Sequence, residues 1–210
     1  MSLRRSVITL AFLCVVSGLF PASATAEGKG AAARVAEVRR SFTLDGRIIP
    51  PGIFRDFGDG NLADGDGIWV TVDLAAAVGS NLYYDPVREF GEWKIEKKQR
   101  SKTDTSEETA YAFKGSTANG LIVVVASYNG GGSGTFHTLH ILDIVPATGF
   151  DSDGKRYPRI NLTNIRSVIL GDRWEGEVKI SGNTVRVTTT RNGPTNDSAR
   201  APLVVTAERP

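Results

Sequence analysis

The stretch Asn129 to Gly134, NGGGSG, is the one most suggestive of chemistry, because glycine-rich loops bind phosphates and also hold nucleophiles. A phosphate-binding P-loop requires a lysine and a hydroxyl residue after its last glycine, but Thr135 follows and no lysine is near. A dinucleotide loop requires glycine where His137 stands, and a nucleophile elbow requires glycine two residues after Ser133. The apolar runs on both sides therefore predict an antiparallel hairpin. A small anion-binding nest of loop N–H groups is the alternative.

Metal-binding side chains occur in two places. His137 and His140 are three residues apart in a predicted strand, so they should point to opposite faces of the sheet and not share a zinc ion. The Asp-rich stretch 56–67 has oxygen ligands that suit calcium, but an EF-hand loop begun at Asp59 or Asp64 fails at its later positions. We expect Asp-Gly turns there, with calcium as the alternative, and we predict no metal site and no cofactor.

The S-x-x-K spacing of serine hydrolases is present at Ser152 and Lys155. It lies in DSDGKRYP, a turn-like composition, whereas the hydrolases place this motif at the start of a helix and add a K-T-G sequence that is absent here. We therefore predict no catalytic residues from the sequence motifs.

Residues 1–26 have the layout of a secretory signal peptide. Basic Arg4 and Arg5 precede an apolar run from Val7 to Phe20, and Ala24-Thr25-Ala26 is an A-x-A cleavage site. The apolar run is shorter than the roughly 20 residues of a membrane-spanning helix, and no second such run follows. We expect cleavage after Ala26 and a periplasmic or secreted bacterial protein without a transmembrane segment.

Cleavage would change the composition of the chain. The single cysteine, Cys14, leaves with the signal peptide, so the mature chain has neither a disulfide nor a thiol nucleophile. Arg4 and Arg5 leave as well, so the 25 basic residues of the precursor become equal in number to its 23 acidic ones. A chain without net charge gives no support for nucleic acid as a partner.

Short β-branched runs separated by glycine, asparagine and aspartate predict an all-β domain over residues 41–207, mainly an antiparallel sandwich or a partly open barrel. Residues 27–40 should form a flexible or short helical tail. A short helix is expected near 73–79, with Asp73 as its N-cap and Gly79 closing it in the left-handed conformation. Because residues 121–126 are all apolar, we place that strand at the centre of the sheet. The expected strands are 41–44, 68–72, 92–97, 109–113, 121–127, 135–145, 159–170, 176–180, 184–190 and 203–207.

Two motifs in the second half carry a resemblance. The sequence YNGGGSGTF precedes a strand, and SVILGDRWEGEVKISGNTVRV follows it. This arrangement over 121–205 resembles a loose set of uncharacterised exported bacterial proteins with a GGSGTF-like loop, then LGDR, then a hairpin. The resemblance implies export and brings no activity with it.

The predicted function is a non-catalytic binding or envelope-associated domain, with envelope glycan or protein as the possible partners. Trp174 is the preferred ligand-binding residue, because the polar neighbours Asp172, Arg173 and Glu175 could hydrogen-bond sugar hydroxyls while the indole stacks. The alternative for Trp174 is a core position. The alternative function is a hydrolase of envelope glycan that uses two scattered carboxylates. The other aromatic residues considered for stacking are Trp69, Trp93, Tyr83 and Tyr84.

Overall fold

The computed structural model describes residues 30–57, 71–79, 85–98, 106–189 and 202–209. The described residues form three short helices, which are α1 (Ala31–Ser41), α2 (Ile53–Asp56) and α3 (Leu74–Val78). Their strands are β1 (Thr43–Leu44), β2 (Arg47–Ile48), β3 (Thr71–Asp73), β4 (Val87–Phe90), β5 (Trp93–Lys98), β6 (Glu107–Ser116), β7 (Ile122–Asn129), β8 (Phe136–Phe150), β9 (Arg156–Asp172), β10 (Gly176–Ser181), β11 (Thr184–Thr189) and β12 (Leu203–Thr206).

An open antiparallel sheet of seven strands, in the order β3-β9-β8-β7-β6-β5-β4, forms the middle of the molecule. A second sheet, β10-β11-β12, packs on one of its faces, and the small hairpin β1-β2 with the helices covers much of the other. The all-β prediction is thus confirmed in its antiparallel sandwich form.

Strand β7 explains why the large sheet is covered on both faces. Successive side chains of a strand point to opposite faces, and the residues from Leu121 to Ala126 are apolar without a break. Ile122 and Val124 enter the core beneath the helices, called the first core here, whereas Val123 and Val125 enter the core beneath the small sheet, the second core. These four side chains have no exposed surface, which confirms the predicted central position of this strand.

Helix α1 lies in the segment before the first strand. It runs over eleven residues, and Val35 and Val38 are buried in the first core. It ends at Phe42, whose φ of 51° lies in the left-handed region and whose N–H donates to the carbonyl of Val38 at 2.8 Å. Since Phe42 is itself buried, the end of the helix is fixed by packing as well as by its cap.

The short helix predicted near 73–79 is present as α3, and the carboxylate of Asp73 accepts a hydrogen bond from the N–H of Ala75 at 3.0 Å. The predicted left-handed Gly79 is wrong, because its φ is −73°. Glycine is needed for another reason: a Cβ at Gly79 would lie 2.8 Å from the carbonyl oxygen of Ala75. A close approach of backbone, not a positive φ, therefore ends this helix.

The predicted hairpins follow the expected register. Val178 lies opposite Val187 and Ile180 opposite Val185, across a turn in which Gly182 has φ 58°. Strands β7 and β8 pair antiparallel around the glycine-rich loop, from Ile122 opposite Leu142 to Tyr128 opposite Phe136. The hairpin interpretation of this loop is therefore confirmed.

Candidate functional site

The fold brings the glycine loop, residues 130–135, against the LGDR motif of strand β9. The carboxylate of Asp172 accepts a hydrogen bond from the N–H of Thr135 at 2.7 Å. In return, the N–H of Arg173 donates to the carbonyl of Thr135 at 2.7 Å, and its guanidinium donates to the carbonyl of Ser133 at 2.5 Å. The two motifs that carried the sequence resemblance thus form one structure, which we call the glycine-loop end.

Arg173 has a backbone conformation that is uncommon for a residue with a side chain, since its φ is 47°. Both its N–H and its guanidinium are bound to the loop, so these bonds hold the residue in that conformation. Asp172 and Arg173 are exposed, and Glu175 beyond them is exposed too. The loop is consequently rigid at its base and displays charged groups to solvent.

Trp174, the preferred residue of the sequence prediction, lies on the second-core face of the large sheet. Its indole is partly buried and packs against that core, 6.1 Å from the ring of His137. The indole nitrogen is shielded from solvent and has no hydrogen-bond partner among the described residues. It therefore cannot donate to a ligand on the surface. Trp93 packs partly buried against the same core, while Trp69, Tyr83 and Tyr84 lie outside the described residues.

The opposite face of the same end carries three exposed apolar side chains. Phe136 is 56% exposed, Ile169 is 54% exposed and Tyr128 is 38% exposed. Tyr128 lies directly opposite Phe136, and Ile169 lies opposite Thr138, two residues along the same face. Residues at such opposite and diagonal positions have neighbouring side chains. We call these three residues the apolar row.

A chain of polar contacts connects the apolar row to helix α2. The hydroxyl of Tyr128 donates to Glu107 at 3.2 Å, and Glu107 lies 3.8 Å from the guanidinium of Arg55. Arg55 also binds Glu96 at 3.0 Å, and Glu96 accepts the N–H of Gly52 at 2.9 Å. Burial raises the pKa of Glu96, and its hydrogen bonds and the guanidinium counteract that rise. This network fixes the phenol of Tyr128 from beneath.

Glu96 and Glu107 are also the two carboxylates that bear on the hydrolase alternative. Both lie beside one guanidinium, but both are buried, and Glu96 is only 2% exposed. The carboxylate of Glu96 is occupied by the start of helix α2 rather than turned to an open cleft. A glycan-cleaving site needs its acid and base on either side of an accessible glycosidic bond. This pair is therefore better explained as support for the helix.

The two histidines point to opposite faces, as the sequence predicts. His137 contacts Trp93 and Trp174 on the second-core face, whereas His140 lies beneath Phe54 and Phe57 in the first core. Burial lowers the pKa of both imidazoles. In the described part of the chain no three His, Cys, Asp or Glu side chains are grouped as metal ligands, and most of the Asp-rich stretch 56–67 lies outside it.

The apolar row was missed by the sequence reasoning, which considered only tryptophans and tyrosines elsewhere. The signal was present, because Tyr128 and Phe136 stand on either side of the glycine loop. Once a hairpin is predicted there, the two aromatic residues must pair or nearly pair across it. The loop sequence did not indicate that the sheet face carrying Tyr128 and Phe136 is exposed.

Valine replacements distinguish the glycines of the loop. Gly131 has φ 92°, so Gly131→Val should lower the free energy of unfolding by about 1 kcal/mol or more. Gly132 lacks a positive φ, and a Cβ there meets no atom of the described residues within 4 Å, so Gly132→Val should have a much smaller effect. Urea denaturation of the native chain and the two variants checks this difference. A midpoint for Gly131→Val equal to that of the native chain would show that the loop does not require a positive φ at this position.

Comparison of the chain with protein-family models, with curated proteins and with solved structures gave no match. Among the described residues, no helix combines the length and the apolar character required to cross a membrane.

Proposed function

We propose that this chain is an exported, non-catalytic binding domain of the bacterial cell envelope, and that it binds glycan at the glycine-loop end. The observation that carries the proposal is the apolar row, in which Phe136 and Tyr128 are exposed side by side on neighbouring strands. Large apolar side chains left in a contiguous exposed group are typical of interaction sites.

The surroundings of the row favour a sugar over a purely apolar ligand. Asp172 and Arg173 are exposed beside the glycine loop. Aromatic rings that cover the face of a sugar, with carboxylate and guanidinium groups near its hydroxyls, are a common means of glycan recognition.

Rigidity also supports a binding role. The loop is tied to strand β9 by the bonds of Asp172 and Arg173, and the phenol of Tyr128 is held by Glu107. A surface that is ordered before the ligand arrives loses less conformational entropy on binding. Export by the predicted signal peptide would bring such a surface to where cell-wall glycan is abundant.

The test uses Phe136→Ala in a chain recovered from the envelope fraction, with mass measurement to establish that it begins at Glu27. We expect its affinity for isolated cell-wall glycan to fall at least about tenfold, because truncating an aromatic anchor commonly costs more than 1 kcal/mol of binding. Because Phe136 is more than half exposed, thermal stability should change little.

Phe150→Ala is the matched control. Phe150 stands at the other end of strand β8 and is 62% exposed, so it removes the same group from the same strand away from the loop. Glycan binding should be unaffected by this change. Equal binding by the native chain and Phe136→Ala, or absence of glycan binding by the native chain, would refute the proposal.

A further inference from the structure

Strands β8 and β9 extend beyond the sheet as a two-stranded arm, residues 145–158. Strand β7 pairs with β8 only as far as Leu142, and β3 pairs with β9 only from Asn161 to Thr163. All residues from 151 to 158 are exposed, and Phe150 at the tip is 62% exposed. The arm therefore presents a large aromatic ring away from both cores.

The arm is ordered by its own contacts. The carboxylate of Asp151 accepts hydrogen bonds from the N–H groups of Asp153 and Lys155, which closes the turn. Gly149 lies under the side chains of the returning strand, since a Cβ there would be 2.6 Å from the ring of Tyr157. The guanidinium carbon of Arg156 lies 5.8 Å from the centre of the Phe150 ring. The position of the tip is thus set before any partner arrives.

A solvent-open groove of about 600 Å³ lies at the base of the arm, between helix α1 and strand β8. Its apolar lining comes from both elements: Ala32, Val35, Ala36, Ile144, Val145 and Pro146. Arg39 and Arg40 stand at the end of the groove where helix α1 finishes. The groove offers an apolar floor with a basic end.

The edge of strand β8 beside the groove is not suited to adding another strand. The N–H of Ile144 donates a hydrogen bond to the carboxylate of Asp143. The carbonyl of Ile144 accepts a hydrogen bond from the guanidinium of Arg39 at 3.4 Å. Pro146 has no N–H to donate, and such residues block strand addition at a sheet edge. An occupant of the groove must accordingly bind through its side chains.

We propose that the groove receives the arm tip of a second copy of this chain, so that two copies exchange tips across a two-fold axis. Phe150 lies four residues beyond Pro146 on the same strand, roughly 13 Å away at the rise of a β-strand. A two-fold axis near Thr148 places each Phe150 against the other copy's Pro146. Tip and groove then meet twice in one self-complementary contact.

The charges agree with this direction. In the antiparallel arrangement the residues after Phe150 continue toward Ile144 and the end of helix α1. Asp153 of one copy thereby approaches Arg39 and Arg40 of the other. The carboxylate of Asp151 is bound within its own turn, and the tip also carries the exposed Lys155 and Arg156, so Asp153 is the acid available to the groove. Arg39 is already held by Asp143 at 3.9 Å and by Ile144, whereas Arg40 is exposed. Arg40 and Asp153 are consequently the pair to alter.

Sedimentation velocity of the chain from Glu27 onward tests the proposal over a concentration series. We expect a monomer–dimer equilibrium in the micromolar range, as befits a small interface. Phe150→Ala should weaken the dimer at least about tenfold, whereas Phe136→Ala, at the far end of the strand, should leave it unchanged.

A charge exchange makes the test specific to the groove. Arg40→Asp and Asp153→Arg should each weaken the dimer several-fold, because each places like charges together. The double variant should recover most of the lost affinity. A monomer at every concentration up to about a millimolar, a dimer indifferent to Phe150→Ala, or a double variant no better than the single ones would overturn the proposal.

Discussion

Replacing Phe42 by alanine should lower the free energy of unfolding by about 3 to 5 kcal/mol, the usual cost of emptying a buried phenylalanine position. Phe42 is 1% exposed and joins three parts of the first core. Its ring lies 5.1 Å from that of Tyr111 in an edge-to-face arrangement, 5.8 Å from Phe113 and 6.2 Å from Phe54. Helix α1, helix α2 and strand β6 therefore lose a common contact together.

Guanidinium denaturation measures this loss, with Phe90→Ala as the control. Phe90 is 76% exposed on edge strand β4, so its removal should change stability by no more than about 0.5 kcal/mol. A loss below about 1 kcal/mol for Phe42→Ala would mean that helix α1 does not depend on this ring.

Acidification should destabilise the protein through His140, the second large effect expected. The imidazole is buried beneath Phe54 and Phe57, and its Nδ1 lies 3.0 Å from the hydroxyl of Ser167. Burial lowers its pKa to about 4 from the ordinary 6.5. In the unfolded chain the group gains its proton below about 6.5, while the folded protein resists protonation until about 4. The contribution of His140 to the free energy of unfolding is therefore fully present above pH 6.5. It is lost as the pH falls from 6.5 to about 4, by up to about 3 kcal/mol.

His140→Gln isolates this contribution, because glutamine can still bond to Ser167 but does not titrate. The free energy of unfolding of the native chain must be compared with that of His140→Gln at each pH. The pKa of Glu96 is raised in the folded protein, so its protonation favours the folded state as the pH falls, opposite to the effect of His140. Urea denaturation at pH 7, 6, 5 and 4.5 should show the native chain losing stability faster than His140→Gln. Parallel curves would show that His140 is protonated without difficulty in the folded state.

Much of the fold could be predicted because its strongest patterns are local. The unbroken apolar residues 121–126 predicted a central strand, and the alternation from Val178 to Val187 predicted a hairpin with one face in a core. Helix α2 and strand β4 were missed, since four residues such as VREF carry no periodicity that separates a strand from a loop. Their positions are set by tertiary contacts, among them the bond of Glu96 to the start of helix α2.

The arm was shortened in the prediction for a physical reason. Pro146 and Gly149 are typical of a turn, so strand β8 was expected to end at Val145, whereas it continues to Phe150. Proline is tolerated there because no strand of the described residues pairs with that edge of β8, and glycine is required by the ring of Tyr157. Neither condition is visible without knowing which strands lie alongside.

The candidate site was only half predictable. LGDR lies at the glycine-loop end, and Asp172 and Arg173 are exposed there. Trp174 was preferred because its neighbours along the chain are polar, but its indole packs against the second core. The face on which an aromatic side chain lies depends on register, and the extra residue of β9 near Leu170 changes that register locally.

The central claim, that glycan binds at the glycine-loop end, is tested most directly by hydrogen exchange of the native chain with and without isolated cell-wall glycan. We expect added glycan to slow exchange in the glycine loop and in the segment from Ile169 to Glu175, while the arm and its Phe150 tip remain unchanged. Slowed exchange confined to other segments, or no change at saturating glycan, would contradict the account.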